Sequence, residues 1–298
     1  MTLRAGVEVV SHTELSTFRR CSREYWYAYQ LGRVPLVKSK ALEVGSRIDH
    51  AIKAHYDGGG MDLAGLETSE RALMLAYARY WGTPDRLFKC DRAGVKFQVL
   101  AGTTIVKGEF DAVGTRHDTG AQVLLEVKTT SEDISPGSPY WRRIAATDPQ
   151  PLVYLAAAKA MGWKASQVLW DVMRKPILRR KVKESAEDFE LRILEDILAR
   201  PGFYFQRQTI VRFEADHESY VKDVAGTVRL MQVVREMGPN APKNPDACTT
   251  RWGSLCRYFD VCEGAADIHD DRLFGPHYRQ SEREQPKMTT SFANQFEF

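Results

Sequence analysis

The chain has 298 residues, 43% hydrophobic and 10% aromatic, with 42 lysines and arginines against 39 aspartates and glutamates and a net charge of +3. That apolar content excludes a disordered chain and supports one large core or two small ones, while the near-balanced charge excludes a composition that by itself announces a nucleic-acid partner. No run approaches the roughly 18 apolar residues of a membrane span, and no basic-then-apolar leader opens the chain, so a soluble, cytoplasmic protein with no membrane partner is expected.

Ser11-His12-Thr13-Glu14 has the form of a capping box and predicts a helix to about Leu31, closed near Gly32 and Pro35. Apolar residues three and four apart predict helices over 40–57, ended by Gly58-Gly59-Gly60, and over 68–81. The period then becomes two: Val95, Phe97 and Val99 mark a strand, and Thr104 to Val113 and Gln122 to Lys128 two more. Asp148-Pro149 opens a helix to about Met161. A strand over 167–174, a helix over 185–199, a strand near 203–213 and a helix over 217–237 complete the pattern. This order predicts an α/β (α+β) fold with one mixed central sheet flanked by helices. The expected organisation is an N-terminal helical region over 1–90 within the same domain, a core over 91–240, a cysteine-rich segment over 241–264 and a polar, flexible tail over 265–298.

The two middle strands form a geometric object. If the hairpin turns at Asp118-Thr119, paired positions sum to 237, which sets Asp111 opposite Glu126 with Cβ atoms roughly 5 Å apart. Lys128 shares that face, because strand side chains alternate, and Glu109 falls opposite Lys128. A three-residue loop without a bulge at Gly120 would put the two acids on opposite faces. Two acids and a lysine converging at a strand end suit metal-assisted phosphodiester hydrolysis. Carboxylates hold a hard divalent cation, and the lysine orients water or steadies the transition-state charge. A solvated sheet face with cross-strand ion pairs is the competing reading of the same residues.

The company these residues keep decides between them. Gly45-Ser46-Arg47-Ile48-Asp49-His50, Gly108-Glu109-Phe110-Asp111, Glu126-Val127-Lys128 and Gln150-Pro151-Leu152-Val153-Tyr154 follow one another along the chain. As an ordered set this resembles the PD-(D/E)xK nuclease superfamily, in its RecB-like branch of AddB-type, CRISPR-associated and phage exonucleases. Phe110 stands where the pattern's name has proline. The resemblance implies a restriction-endonuclease-like core and a metal-dependent DNA nuclease, foremost an exonuclease acting on DNA with a single-stranded end. It places the protein in recombination, repair or phage DNA metabolism in a bacterial or phage-infected cell, with a recombination or replication protein as partner. By the same resemblance His50, Asp111, Glu126 and the Val127 carbonyl hold Mg2+ or Mn2+, and Lys128 is the catalytic lysine acting with Asp111 and Glu126. Gln150 and Tyr154, one helical turn apart on one face, contact DNA or steady the site. A flap-type endonuclease, or a non-cleaving DNA-binding protein on this fold, is the alternative.

Cys248, Cys256 and Cys262 crowd into fifteen residues, while Cys21 and Cys90 stand alone. In a reducing compartment these are not disulfides. Cys21 with Cys248, Cys256 and Cys262 resembles the [4Fe-4S] arrangement of the same branch; the wide first gap keeps structural Zn2+ as the alternative, and Cys90 is a bystander. Arg174 to Lys183 carries six basic residues in ten, and Arg142 and Arg143 follow Tyr140-Trp141. These are expected to guide phosphates, with the aromatics stacking on unpaired bases, although a charge run is as readily a solvated face. The closing Ser291 to Phe298 is expected to be disordered rather than a docking peptide.

Overall fold

The computed structural model describes residues 7–58, 60–249 and 253–277. In chain order its elements are β1 (Glu8–Ser11), α1 (His12–Arg20), α2 (Ser22–Tyr25), a π-helical turn (Trp26–Gln30), β2 (Arg33–Pro35), α3 (Lys40–Tyr56) and α4 (Thr68–Trp81). There follow β3 (Phe88–Ala101), β4 (Thr104–Arg116), β5 (Gln122–Thr130), α5 (Pro139–Thr147), α6 (Gln150–Ala160), β6 (Val168–Arg174), α7 (Ala186–Ala199) and α8 (Pro201–Tyr204). The chain continues with β7 (Phe205–Ile210), α9 (Glu214–Met237), two 3-10 turns, α10 (Phe259–Glu263) and β8 (Phe274–Pro276). No helix among the described residues is long and apolar enough to cross a membrane. Two compact units emerge: Ser39–Phe97 with Gly108–His217, and Met1–Lys38 with Gln98–Lys107 and Glu218–Phe298.

The unit built from Ser39–Phe97 and Gly108–His217 has the mixed α/β arrangement the sequence predicts. Its sheet runs β4-β5-β6-β7, antiparallel, then parallel, then antiparallel, with β3 paired to β4. β6 is buried along six of its seven positions, which accounts for its unbroken apolar run with one acid, Asp171. One sheet face, through Val123, Leu125, Leu169, Met173 and Phe205, packs on Ile48 and Ile52 of α3, Leu73 and Tyr77 of α4, and Ile193 and Ile197 of α7. The helices begin where local chemistry dictates. The Ser39 hydroxyl accepts from the Leu42 N–H, the Ser185 hydroxyl from the Asp188 N–H, and Glu67 and Glu70 form a reciprocal box at α4. On that same face, Arg207 on β7 lies 2.7 Å from Asp171 and 2.6 Å from Asp85, with all three side chains nearly inaccessible, and its guanidinium lies over the Trp81 ring at 3.9 Å.

In the other unit β1 runs parallel to the Thr104–Lys107 end of β4, and β2 pairs antiparallel with β8. The expected continuous helix to Leu31 is interrupted. Cys21 adopts an extended conformation (φ −159°, ψ 115°) between α1 and α2. The backbone groups released by the break are taken up from far along the chain: Asn244 donates to the Arg20 carbonyl at 2.8 Å, and the Arg23 N–H donates to the Pro242 carbonyl at 3.0 Å. Residues 265–277, placed by sequence in the tail, include β8 and a buried His277 whose ring lies tilted against Tyr29 with centroids 4.9 Å apart. The rest of that tail, including Ser291 to Phe298, lies outside the described residues.

Candidate active site

β4 and β5 pair Ala112 with Leu125, Val113 with Leu124, Gly114 with Val123 and Thr115 with Gln122. Every pair sums to 237, the register expected, although the turn differs. The Gly120 N–H donates to the Arg116 carbonyl and the Arg116 N–H to the Ala121 carbonyl, so a four-residue loop replaces the two-residue turn. Beyond Ala112 and Leu125 the ladder ends, and Asp111 Oδ2 accepts the Val127 N–H at 2.7 Å. A strand opening of this kind exposes backbone donors to a side chain.

Glu126 is 3% exposed and fully engaged. Its Oε1 accepts from Gln150 Nε2 at 2.7 Å and pairs with the Lys128 ammonium, and its Oε2 lies 2.6 Å from the Tyr154 hydroxyl. Gln150 also donates to Tyr154 Oη at 2.9 Å, and that hydroxyl lies 2.7 Å from the Glu109 carbonyl. The predicted pair on α6 therefore meets the predicted acid on β5. Lys128 does not face Glu109 as the register suggested, because Glu126 on its own strand holds it.

The electrostatics follow from the burial. Desolvation and then the Glu126 charge push the Asp111 carboxyl well above the usual carboxylate range. Burial alone would lower Lys128, but the Glu126 and Asp111 charges outweigh it, so its pKa is raised and it remains an ammonium. Burial and Glu126 raise Tyr154 well above an ordinary phenol, which keeps it a hydroxyl donor. Asp111 and Glu126 together offer hard oxygen donors whose like-charge repulsion Lys128 only partly offsets, a donor set that fits a divalent cation. Among the described residues, no group of three or more His, Cys, Asp or Glu side chains stands at metal-binding spacing.

A glycine fixes the tyrosine. A Cβ on Gly108 would lie 2.5 Å from Cζ of Phe97, whose ring stacks on Phe110 with centroids 4.5 Å apart. Both rings meet Tyr154 edge-on, at 5.6 and 4.9 Å. The bare position in Gly108-Glu109-Phe110-Asp111 thus lets an aromatic wedge set where the Tyr154 hydroxyl sits.

Other predicted residues lie elsewhere. His50 is 76% exposed on α3, with Nε2 3.4 Å from Asp62, and is not brought to Asp111 and Glu126. From the same helix, Asp49 and Lys53 do reach the β4 end of the site. The Lys53 ammonium bridges Asp49 at 3.0 Å and Glu109 at 2.7 Å, and the Asp49 charge acts on Asp111. Their i, i+4 spacing was the available signal. Val127 contributes its N–H to Asp111. On α5, Arg142 is exposed, while Arg143 pairs with Glu132 at 3.1 Å and lies over the Tyr140 ring. Tyr140 and Trp141 are 4% and 3% exposed, so the expected stacking on unpaired bases is corrected: both rings are committed to the core. Arg174 lies 4.1 Å over the Phe203 ring and Arg180 Nε donates to the Glu184 carbonyl at 2.7 Å, so part of the basic run is spent on contacts within the protein.

In the other unit Cys21, Cys248, Cys256 and Cys262 line one small cavity together with Glu24 and Lys243. All are free thiols, and burial pushes Cys256 and Cys262 above the usual thiol range. Cys90, on β3, is separate, pushed up to about 11 by burial.

The model of the PD-(D/E)XK nuclease superfamily matches residues 65–263. No curated protein matches the chain. Among solved structures, one titled "Crystal structure of SSO0001" is similar at 12% identity, covering 77% of this chain and 79% of its own, with a TM-score of 0.37.

Proposed function

Because the chain belongs to the PD-(D/E)XK nuclease superfamily, whose members act on nucleic acid, we propose that it is a metal-dependent deoxyribonuclease that hydrolyses phosphodiester bonds as an exonuclease at DNA ends. The observation that carries this reading is the convergence of Asp111, Glu126 and Lys128 at the open end of the β4–β5 ladder, with Gln150 and Tyr154 both on Glu126. Asp111 and Glu126 would hold Mg2+ or Mn2+, which when bound polarises the phosphate and makes hydroxide available at neutral pH. His50 and the Val127 carbonyl are the further ligands suggested by the RecB-like resemblance. His50 would need a different side-chain direction from the one it has beside Asp62.

The chain's own groups then have separate tasks. Lys128, a fixed ammonium, orients the attacking water and neutralises charge that develops on the phosphate oxygens. Tyr154 and Gln150 hold the Glu126 carboxylate in one rotamer, so its oxygens are aimed before substrate arrives. Arg142, exposed on α5, would contact the DNA backbone, with Arg143 beside it. The RecB-like likeness supports the preference for an end, a single-stranded terminus and a role in recombination, repair or phage DNA metabolism in the cytoplasm, with a recombination or replication protein as partner.

The four cysteines belong to the same proposal. Thiols from two distant stretches line one cavity, not at metal-binding spacing as they stand, and on closing together would supply the donor set of a [4Fe-4S] cluster or of Zn2+; metal would offset the burial that disfavours their thiolates. Such a centre would tie Cys21 to the 248–262 segment.

Linear and closed-circular single-stranded DNA, each incubated with Mn2+, test the reading. Degradation of the linear form alone is expected. Cutting of the circle would replace the exonuclease by an endonuclease, and no cleavage of either would leave a DNA-binding protein.

A further inference from the structure

We propose that Lys53 is a built-in counter-ion that limits the site to one divalent cation. The inference rests on the reading of Asp111 and Glu126 as the metal-holding pair and adds the metal count. Lys53 leaves α3 one turn after Asp49, and its ammonium lies 3.0 Å from Asp49 Oδ2 and 2.7 Å from Glu109 Oε1. Glu109 stands two residues before Asp111 on β4, and its carbonyl shares the Tyr154 hydroxyl with Glu126. The Asp49 charge in turn acts on Asp111. Asp49, Glu109, Asp111 and Glu126 therefore form one polar cluster with Lys53 and Lys128, and with every carboxylate ionised, as metal binding requires, it carries four negative charges against two positive. Asp148, which also acts on Lys128, acts on Arg212 as well and stays outside the count.

The net charge of −2 is matched by one divalent ion. A second would leave the same partly buried cluster at +2, which low-dielectric surroundings oppose. A second ion would also need further carboxylate oxygens, because hard cations take six or more oxygen ligands between protein and water. Two further acids of this cluster, Asp49 and Glu109, are the ones that Lys53 holds. Burial does not withhold them: the side chains of Asp49, Glu109 and Lys53 are 46%, 33% and 32% exposed, so an ion could reach them. The ammonium does, standing where a second cation would otherwise bridge the acids.

The test counts ions rather than turnover. Mn2+ is titrated into the full-length protein by calorimetry and followed by electron paramagnetic resonance. The wild type should take one ion per chain and give an isolated Mn2+ signal. Lys53→Met and Lys53→Gln should each take two and show a spin-coupled pair, while Lys53→Arg, which keeps the charge, should take one. Asp111→Asn should abolish binding in every background, which assigns the ions to this site and not to the cysteines, soft ligands that hard Mn2+ avoids. Circular dichroism identifies which of the two neutral variants is folded. A wild type that binds two ions, or folded neutral variants that still bind one, overturns the role of Lys53 and leaves the nuclease reading standing. A wild type that binds none overturns both.

Discussion

Substituting Gly108 by alanine should cost more than a surface methyl group normally does. The added Cβ would meet Phe97 Cζ at 2.5 Å and Cε1 at 3.0 Å. Ordinary van der Waals separation is about 3.5–4.0 Å, so the Phe97 ring must retreat by about 1 Å. It has nowhere to go, since it is 6% exposed, stacked on Phe110 and set against the Tyr154 ring. Overpacking of a tight core costs about 1–3 kcal/mol. The displacement passes through the Tyr154 hydroxyl to the Glu126 carboxylate it holds at 2.6 Å, and a misplacement of about 1 Å there can lower turnover by about a hundredfold. Urea denaturation and Mn2+-dependent cleavage of linear DNA would read both effects. Phe97→Leu, which shortens the wedge, should recover part of each loss when combined with Gly108→Ala, a coupling measured by a double-mutant cycle. A Gly108→Ala protein that denatures and cleaves like the wild type would refute the reasoning that the glycine makes room for the wedge.

Tyr154→Phe keeps the ring and removes a hydrogen bond to a buried carboxylate, so a loss of about 1.5–3 kcal/mol is expected in chemical denaturation of the metal-free protein. Arg207→Met would leave Asp85 and Asp171 buried without their cation and should cost about 3–5 kcal/mol by the same assay, whereas removing an exposed partner such as Arg272 should cost little. Burial lowers His55, so the folded state holds it neutral while the unfolded chain protonates near pH ~6.5. Its contribution is intact above that pH and lost as pH falls through it towards the lower folded value. Thermal melts between pH 7 and 5 should therefore flatten in His55→Phe. Anaerobically prepared protein should be brown and lose its colour in Cys21→Ser; a colourless protein carrying zinc would replace iron and sulfur by the alternative metal.

The elements that the sequence predicts well are those whose cause is local. α3, α4, α6, α7 and β6 show their period within the segment itself, and the β4–β5 register, read from a turn centred on Asp118-Thr119, holds because the longer loop keeps that centre. Gln150 and Tyr154 enter through the family resemblance, and their four-residue spacing on one helix face is what lets both meet Glu126. What was not legible depends on distant partners. The break at Cys21 exists because Pro242 and Asn244 satisfy the backbone groups it releases, and β2 is a strand because β8 returns to it. His50 is a different case. The buried positions Ile48, Ala51, Ile52 and His55 set the phase of α3, and His50 lies roughly 150° round the helix from them, so its exposure was readable from the spacing once that face was identified. Tyr140 and Trp141, adjacent to two arginines, read as an exposed binding surface, yet the Trp141 indole donates to the Ile134 carbonyl inside the core.

The most direct measurement of the central claim is turnover by Lys128→Ala on end-labelled linear DNA with Mn2+, alongside its affinity for the same DNA. Lys128 is held against Glu126 and raised as an ammonium beside Asp111, so its removal should abolish cleavage while DNA binding stays near the wild-type value. Undiminished cleavage by that variant would contradict the account.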